Sequence, residues 1–336
     1  MRKLGLIAAL CLTASPARAD ILGLIDRGMV NPRPSSSTVA GPEHHVVYDY
    51  SVIPGGTRDF GFGFARSSAV FQWSVDVTVE IDAGKAGHNH NDPPPRLFYY
   101  PNWPDEKTMA KFDGVILRSA QLAQDQSFTV HMAPVDHAVS LKVVGAFTKN
   151  FYGRVSHPTL TYYLDVRTPG LVRMQKNERL YRLTGVTALH PEIHYGSTAT
   201  VAALTDLAGA WKTAYPYASV IEIAAISLPW GGAVDAKGDW KTMNIHHAYG
   251  IAADIGRTGL SAQEKAGLIK LLCGGGFYVY NMPESGAEHY HAVHREEFRT
   301  LKELRWPVRL PAKAEGAVYC CSAKAGSPAW RKCAGF

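Results

Sequence analysis

His247 and Asp254 stand seven residues apart in NIHHAYGIAADIG, residues 244–256, a run otherwise apolar enough to be buried. A carboxylate and an imidazole in apolar surroundings are costly unless something pairs with both, and a divalent cation is one such partner. Gly250 lets the backbone turn after His247, and the small Ala252 and Ala253 allow close packing before Asp254 returns on a strand. Further ligands lie downstream in AEHYHAVH, where His289 and His291 are separated by one residue. Residues i and i+2 of a strand face one side, so one imidazole can bind a metal while the other approaches a ligand on it. With His247 and Asp254 this makes three protein ligands and an open position. That is the arrangement of a catalytic zinc site, and two imidazoles with one carboxylate suit zinc. His246 stands one residue too early and on an extended chain points the other way, which leaves it as a neighbour.

Regular elements have to place these side chains. In STATVAALTDLAGAWKTAYP, Val201, Leu204, Ala208, Trp211 and Tyr215 recur at three and four, which predicts one buried helix face that Pro216 helps to end. SVIEIAAISL predicts a strand. LSAQEKAGLIKLLCGGG opens on Ser261 with Glu264 three residues later, a capping box, and stops at Gly274. GFYVYN and EHYHAVHRE predict two further strands. The order helix, strand, His/Asp segment, helix, strand, His-rich strand predicts an α+β domain over residues 171–310 with a mainly antiparallel sheet. Residues 46–170 have a different texture. In FQWSVDVTVEI, Phe71, Trp73, Val75, Val77, Val79 and Ile81 alternate with polar residues, the pattern of a half-buried strand. VVYDYSV, SFTVHMA, AVSLKVVGAF and TLTYYLDVR repeat it between Gly, Pro and Asn, which predicts an all-β sandwich, with the immunoglobulin type one candidate.

The ends carry other signals. Residues 1–19, MRKLGLIAALCLTASPARA, show two basic residues, an apolar stretch and a small-x-small site, the features of a secretory signal. The apolar stretch is too short to span a bilayer, so the expectation is a secreted or periplasmic protein without membrane insertion. Removing it takes Arg2, Lys3 and Arg18 and no acid, which lowers the formal net charge from +6 to +3. So mild a charge, with no Lys/Arg cluster, does not argue for a nucleic-acid partner, and none is expected. Residues 20–45 contain NPRPSSSTVAGPEHH and read as a flexible leader. Beyond the signal stand Cys273, Cys320, Cys321 and Cys333, an even number that predicts disulfides in an oxidising compartment. Three of them lie in a tail, residues 311–336, which predicts a bridge from the tail to Cys273.

HAYGIAAD resembles the first zinc motif, and HYH the second, of the group that joins D-Ala-D-Ala carboxypeptidases, penicillin-insensitive murein endopeptidases and hedgehog-type metal-site domains. HPEIHYGS and SLPWGGAVD are similar to segments of secreted bacterial proteins that place such a domain after a β-sandwich, and the resemblance covers residues 180–300. Carried over, it implies a Zn2+ held by His247, Asp254 and His291, about one ion per chain. It also implies hydrolysis of amide bonds in peptidoglycan peptides. For the general base it offers two residues. Glu288 stands where the carboxypeptidase branch has its glutamate, and His289 matches a histidine of the endopeptidase branch. Strand parity favours His289. The chain departs from those peptidases in one respect: SLPWGGAVDAKGDW has no arginine where they hold substrate.

Other polar residues read more plainly. HPEIH, residues 190–194, has Pro191 and lacks a glutamate after the first histidine, so it is no zincin helix; His194 reads as structural or substrate-contacting. GHNHND, residues 87–92, offers His88, His90 and Asp92 beside three prolines and reads as a solvated loop, with a second metal site as the alternative. Trp230 packs or lines a groove. The alternative to a peptidase is a non-catalytic, zinc-stabilised envelope-binding or interaction protein. The presence of an acid/base candidate beside the ligands separates the two.

Overall fold

A computed structural model describes residues 36–40, 43–56, 58–63, 72–90, 98–99, 120–122, 127–132, 137–151, 154–232, 234–235, 238, 245–282, 288–304, 318–320 and 331–332. The signal-like residues 1–19 and most of the Cys-containing tail lie outside them. The fold is mostly β with a few helices, of the α+β class. Among the described residues no helix is long and apolar enough to cross a membrane.

The N-terminal half runs β1 (Ser36–Ala40), β2 (Glu43–Val52), β3 (Arg58–Gly63), β4 (Gln72–Asp82), β5 (Phe98–Tyr99), β6 (Ala120–Leu122), β7 (Ser127–Met132), β8 (Val139–Phe151), β9 (Arg154–Ser156) and β10 (Thr159–Val166). A seven-stranded sheet has the order β1-β2-β10-β8-β4-β6, with β9 on β8, and β2 and β10 are its parallel pair. A second sheet, β3-β7-β5, is antiparallel. The period-two pattern has its expected result: Leu160, Tyr162, Leu164 and Val166 of β10 are buried, as are Val77 and Val79 of β4. Phe60 of the second sheet meets Tyr162 of the first edge-on, with ring centroids 5.2 Å apart and both rings fully buried. Such a pair contributes about 0.5–1.5 kcal/mol beyond its buried area. One boundary moves. Residues 36–40, which composition assigns to a flexible leader, pair antiparallel with β2 from Glu43 onward. No proline falls within residues 36–40, and Thr38 and Val39 are β-branched residues suited to an edge strand.

The C-terminal half begins with β11 (Val172–Arg173) and β12 (Tyr181–Leu183). It continues through β13 (Tyr195–Gly196), α1 (Thr198–Ala214), β14 (Ile221–Ala225), α2 (Ile245–Ala248), β15 (Ala252–Gly256) and α3 (Ala262–Gly274). The last elements are β16 (Phe277–Met282), β17 (His289–His294), α4 (Arg295–Glu303), β18 (Val318–Cys320) and β19 (Arg331–Lys332). Its sheet runs β12-β14-β15-β17-β16-β18-β19, antiparallel except between β12 and β14. One core packs Leu204, Leu207 and Trp211 of α1 and Leu268 and Leu272 of α3 against Ile255, Phe277, Val279 and Tyr290 of the sheet. Tyr249, Ile251, Phe298 and Leu301 join Ala252, Tyr280 and Val293 in a second cluster. Alternate residues of β15, β16 and β17 divide between the two, which places the clusters on opposite sheet faces. Ser197 caps α1 by accepting from Thr200 N at 3.1 Å. Ser261 and Glu264 form the expected reciprocal capping box at the start of α3. Cys273, near the end of α3, is disulfide-bonded.

Candidate metal centre

β15 and β17 are hydrogen-bonded neighbours, and their register sets Asp254 opposite His291 and Gly256 opposite His289. Ala253, Ile255, Tyr290 and Ala292 belong to the helix-covered core. Asp254, His289 and His291 therefore share the other face. Asp254 Oδ1 lies 3.0 Å from His291 Nδ1, 3.3 Å from His247 Nε2 and 3.6 Å from His289 Nε2. One carboxylate oxygen is thus ringed by three imidazoles.

His247 arrives from α2 rather than from the extended segment its surroundings suggest. The chain leaves that helical turn at Gly250, whose φ of 64° is the left-handed conformation, and Gly250 N donates to His247 O at 3.0 Å. A Cβ at Gly250 would press on Leu171 and on the backbone of Gly196, so the turn needs glycine twice over. The His247 ring is held by Nδ1, 2.6 Å from Ile226 O. A carbonyl only accepts, so Nδ1 carries the hydrogen and neutral His247 turns the Nε2 lone pair toward Asp254. Two lone-pair atoms facing each other need a proton or a cation between them. A ring N–H held on a backbone carbonyl is also how metal-binding histidines are usually oriented.

His291 is 1% exposed on its side chain and has its Nε2 3.4 Å from His246 Nδ1. His246 is buried behind it against Phe298, a consequence of the helical turn that an extended chain does not give. Burial pushes the His247 imidazole down, but the Asp254 carboxylate outweighs it and holds the ring above its usual range. For His291 burial wins and the ring is held below. Burial also raises Asp254, yet His247 and then His291 reverse this and hold the carboxyl well below the usual carboxylate range. Exposure is lopsided: Asp254 is 22% and His289 13% exposed, so the cluster opens on their side.

The donor set fits a divalent cation. The ligand atoms of His247, Asp254 and His291 lie within 4.8 Å of one another. The 3.0 and 3.3 Å spacings are close to the roughly 3.3 Å between neighbouring ligands on tetrahedral zinc with bonds of about 2.0–2.1 Å. Of the two base candidates the structure brings only His289 to the cluster. Glu288 is exposed, with Oε2 3.3 Å from Lys265 Nζ and 3.8 Å from Arg257 Nε.

The solvated-loop reading of GHNHND is overturned for its histidines. His88 and His90 turn inward to meet His190 and Asp235, and these four also have ligand atoms within 4.8 Å of one another. Asp92 lies outside the described residues. The sequence pattern singles out His190 only within the rejected HPEIH motif and gives no role to Asp235; the visible signal was His-x-His beside a glycine. His194 is structural, its Nε2 donating to Thr184 O at 2.9 Å with Ile223 O at 3.2 Å. Trp230 is partly buried beneath the Arg167 guanidinium, 5.9 Å from its ring. Compared with known proteins, the chain matches no protein-family model and no curated protein.

Proposed function

We propose that the chain is an exported zinc peptidase that hydrolyses amide bonds in peptidoglycan peptides. In this reading residues 171–310 form a zinc-metallopeptidase-like domain, and residues 46–170 form a β-sandwich that sets it on its target. The observation that carries the reading is the Asp254 carboxylate, ringed by His247, His291 and His289 and open on one side. His247, Asp254 and His291 would hold the metal. Zinc in such a site supplies a Lewis acid and acidifies water to a pKa of about 7.

The chain's own residues do the rest. Ile226 O fixes the His247 tautomer, and the β15–β17 register fixes Asp254 against His291. His289 stands on the open side with Nε2 turned toward Asp254. It accepts a proton from the attacking water at Nε2 and returns it to the leaving amine nitrogen. Glu288, engaged by Lys265, plays no part in that transfer.

The test is to incubate purified protein and its His291→Ala variant with peptidoglycan, following released peptides and new amino or carboxyl termini while measuring metal on both. Release by the wild type that is lost with the metal supports the reading. A metal-loaded wild type that binds peptidoglycan without cutting it supports a zinc-stabilised envelope-binding protein instead.

A further inference from the structure

We infer that His88, His90, His190 and Asp235 form a second, closed metal site that clips the N-terminal strands to the C-terminal half. It would take a zinc-class divalent cation with four protein ligands and no open position. The inference does not rest on the peptidase reading.

Geometry carries it. His88 Nδ1 lies 3.2 Å from His90 Nε2, 3.2 Å from His190 Nε2 and 3.3 Å from Asp235 Oδ1. Asp235 Oδ1 is in turn 3.4 Å from His90 Nε2 and 2.9 Å from His190 Nε2. A ring nitrogen has one in-plane direction for a hydrogen or a lone pair, so hydrogen bonding cannot serve three neighbours of His88 Nδ1 at once. A cation at the centre serves all four atoms together. A tetrahedron with bonds of about 2.0–2.1 Å has edges of about 3.3–3.4 Å, which these separations approach.

Burial makes the site closed. The side chains of His88 and Asp235 are 0% exposed, His190 1% and His90 8%. A carboxylate taken wholly out of water needs compensation, and a cation held between it and three neutral imidazoles supplies it. Three imidazoles and a carboxylate are a zinc-class donor set. With the fourth position filled by protein, the site has the form of a structural one.

Position gives it a role. His88 and His90 follow β4, whereas His190 and Asp235 belong to the C-terminal half, and His88 and His190 are 102 residues apart. The seam around them is already laced by Asn89 N to Leu189 O at 2.7 Å, Asn89 Nδ2 to Ala188 O at 2.9 Å and Thr168 Oγ1 to Ala248 O at 2.7 Å. Asp235 also lies in the connection that starts at Ile226, whose carbonyl holds His247, and returns at α2. A cation there pins the link between the two clusters.

The test counts metal by elemental analysis on the full chain and on paired double variants. Wild type should carry two ions. Asp254→Ala with His291→Ala should keep one, and His190→Ala with Asp235→Ala should keep the other. Loaded with cobalt(II), the first double variant should show the strong visible bands of four-coordinate cobalt, and stripping it should lower its melting temperature. The inference is overturned by a folded Asp254→Ala/His291→Ala protein that holds no metal, or by a His190→Ala/Asp235→Ala protein with the wild-type complement. If the latter variant fails to fold, the former decides alone, because it leaves all four residues intact. A single ion lost only with His190 and Asp235 would uphold this site and sink the zinc peptidase reading.

Discussion

The two His/Asp clusters use the same residue types in opposite settings. At the sheet face, three imidazoles surround Asp254 Oδ1, with Asp254 and His289 partly open to solvent. At the seam, three imidazoles surround Asp235 Oδ1 with almost nothing exposed. The difference lies in who supplies the fourth neighbour. His289 sits farthest from its carboxylate at 3.6 Å, at the first residue of the interior strand β17 and partly exposed. The seam cluster brings His88 Nδ1 and Asp235 Oδ1 within 2.9–3.4 Å of each other and of the Nε2 atoms of His90 and His190. Residue type thus lets either cluster hold a metal ion. Ligand count and exposure divide a reactive site from a structural one.

That contrast breaks most sharply at His289. At equal metal content, His289→Ala should lower turnover by about 100-fold or more, the usual scale for losing a general acid/base, while Glu288→Ala stays near wild type. Steady-state kinetics on whichever peptide the wild type cleaves will check this. If the Glu288 variant is the dead one, the parity argument fails and the Lys265 contact must open in the working enzyme.

Metal release should separate the clusters as well. With a colorimetric chelator, one ion should leave quickly from the open face and the other only as the protein opens, giving two well-resolved phases. In His190→Ala the slow phase should vanish. A single fast phase for two ions in the wild type would mean that the seam is as accessible as the face.

What the sequence made legible follows the same division. The open cluster was readable because its parts obey local rules: period two puts His289 and His291 on one side, and Gly250 marks the turn before Asp254. His247 on a helical turn was not readable, since the ring's place depends on Ile226 O, twenty-one residues away. The seam cluster was hidden for a stronger reason. His88 and His90, His190, and Asp235 come from three connections between regular elements, where no periodicity links them. The polar, proline-flanked composition around residues 87–92 reads as solvated, and only tertiary packing turns His88 and His90 inward.

Reduction should act on one half alone. Cys273, near the end of α3, packs in the helix-covered core behind the open cluster, and losing its disulfide should cost about 2–4 kcal/mol of stability in the C-terminal half. Chemical denaturation with and without reductant, read by hydrogen exchange in each half, measures this. Equal loss in both halves would mean that the seam makes them one cooperative unit, which strengthens the case for a clip.

The smallest effect tests whether the open cluster depends on the helices at all. α3 covers the sheet face opposite Asp254 and His291, so its cap is remote from the ligands although it supports the strands that carry them. Ser261→Ala removes the acceptor for Glu264 N and should cost about 1 kcal/mol. The Ser261 hydroxyl and then its backbone N–H hold the Glu264 carboxyl below its usual range. A depressed carboxyl stabilises the fold above its unfolded pKa and ceases to do so as pH falls through its folded one. The gap between wild type and Ser261→Ala should therefore narrow in acid, in melting curves taken at several pH values. Metal content and turnover of the folded variant should not change, because β15–β17 register and Ile226 O, rather than α3, set the ligands. A loss of metal in this variant would show that the open cluster relies on the helix-covered face.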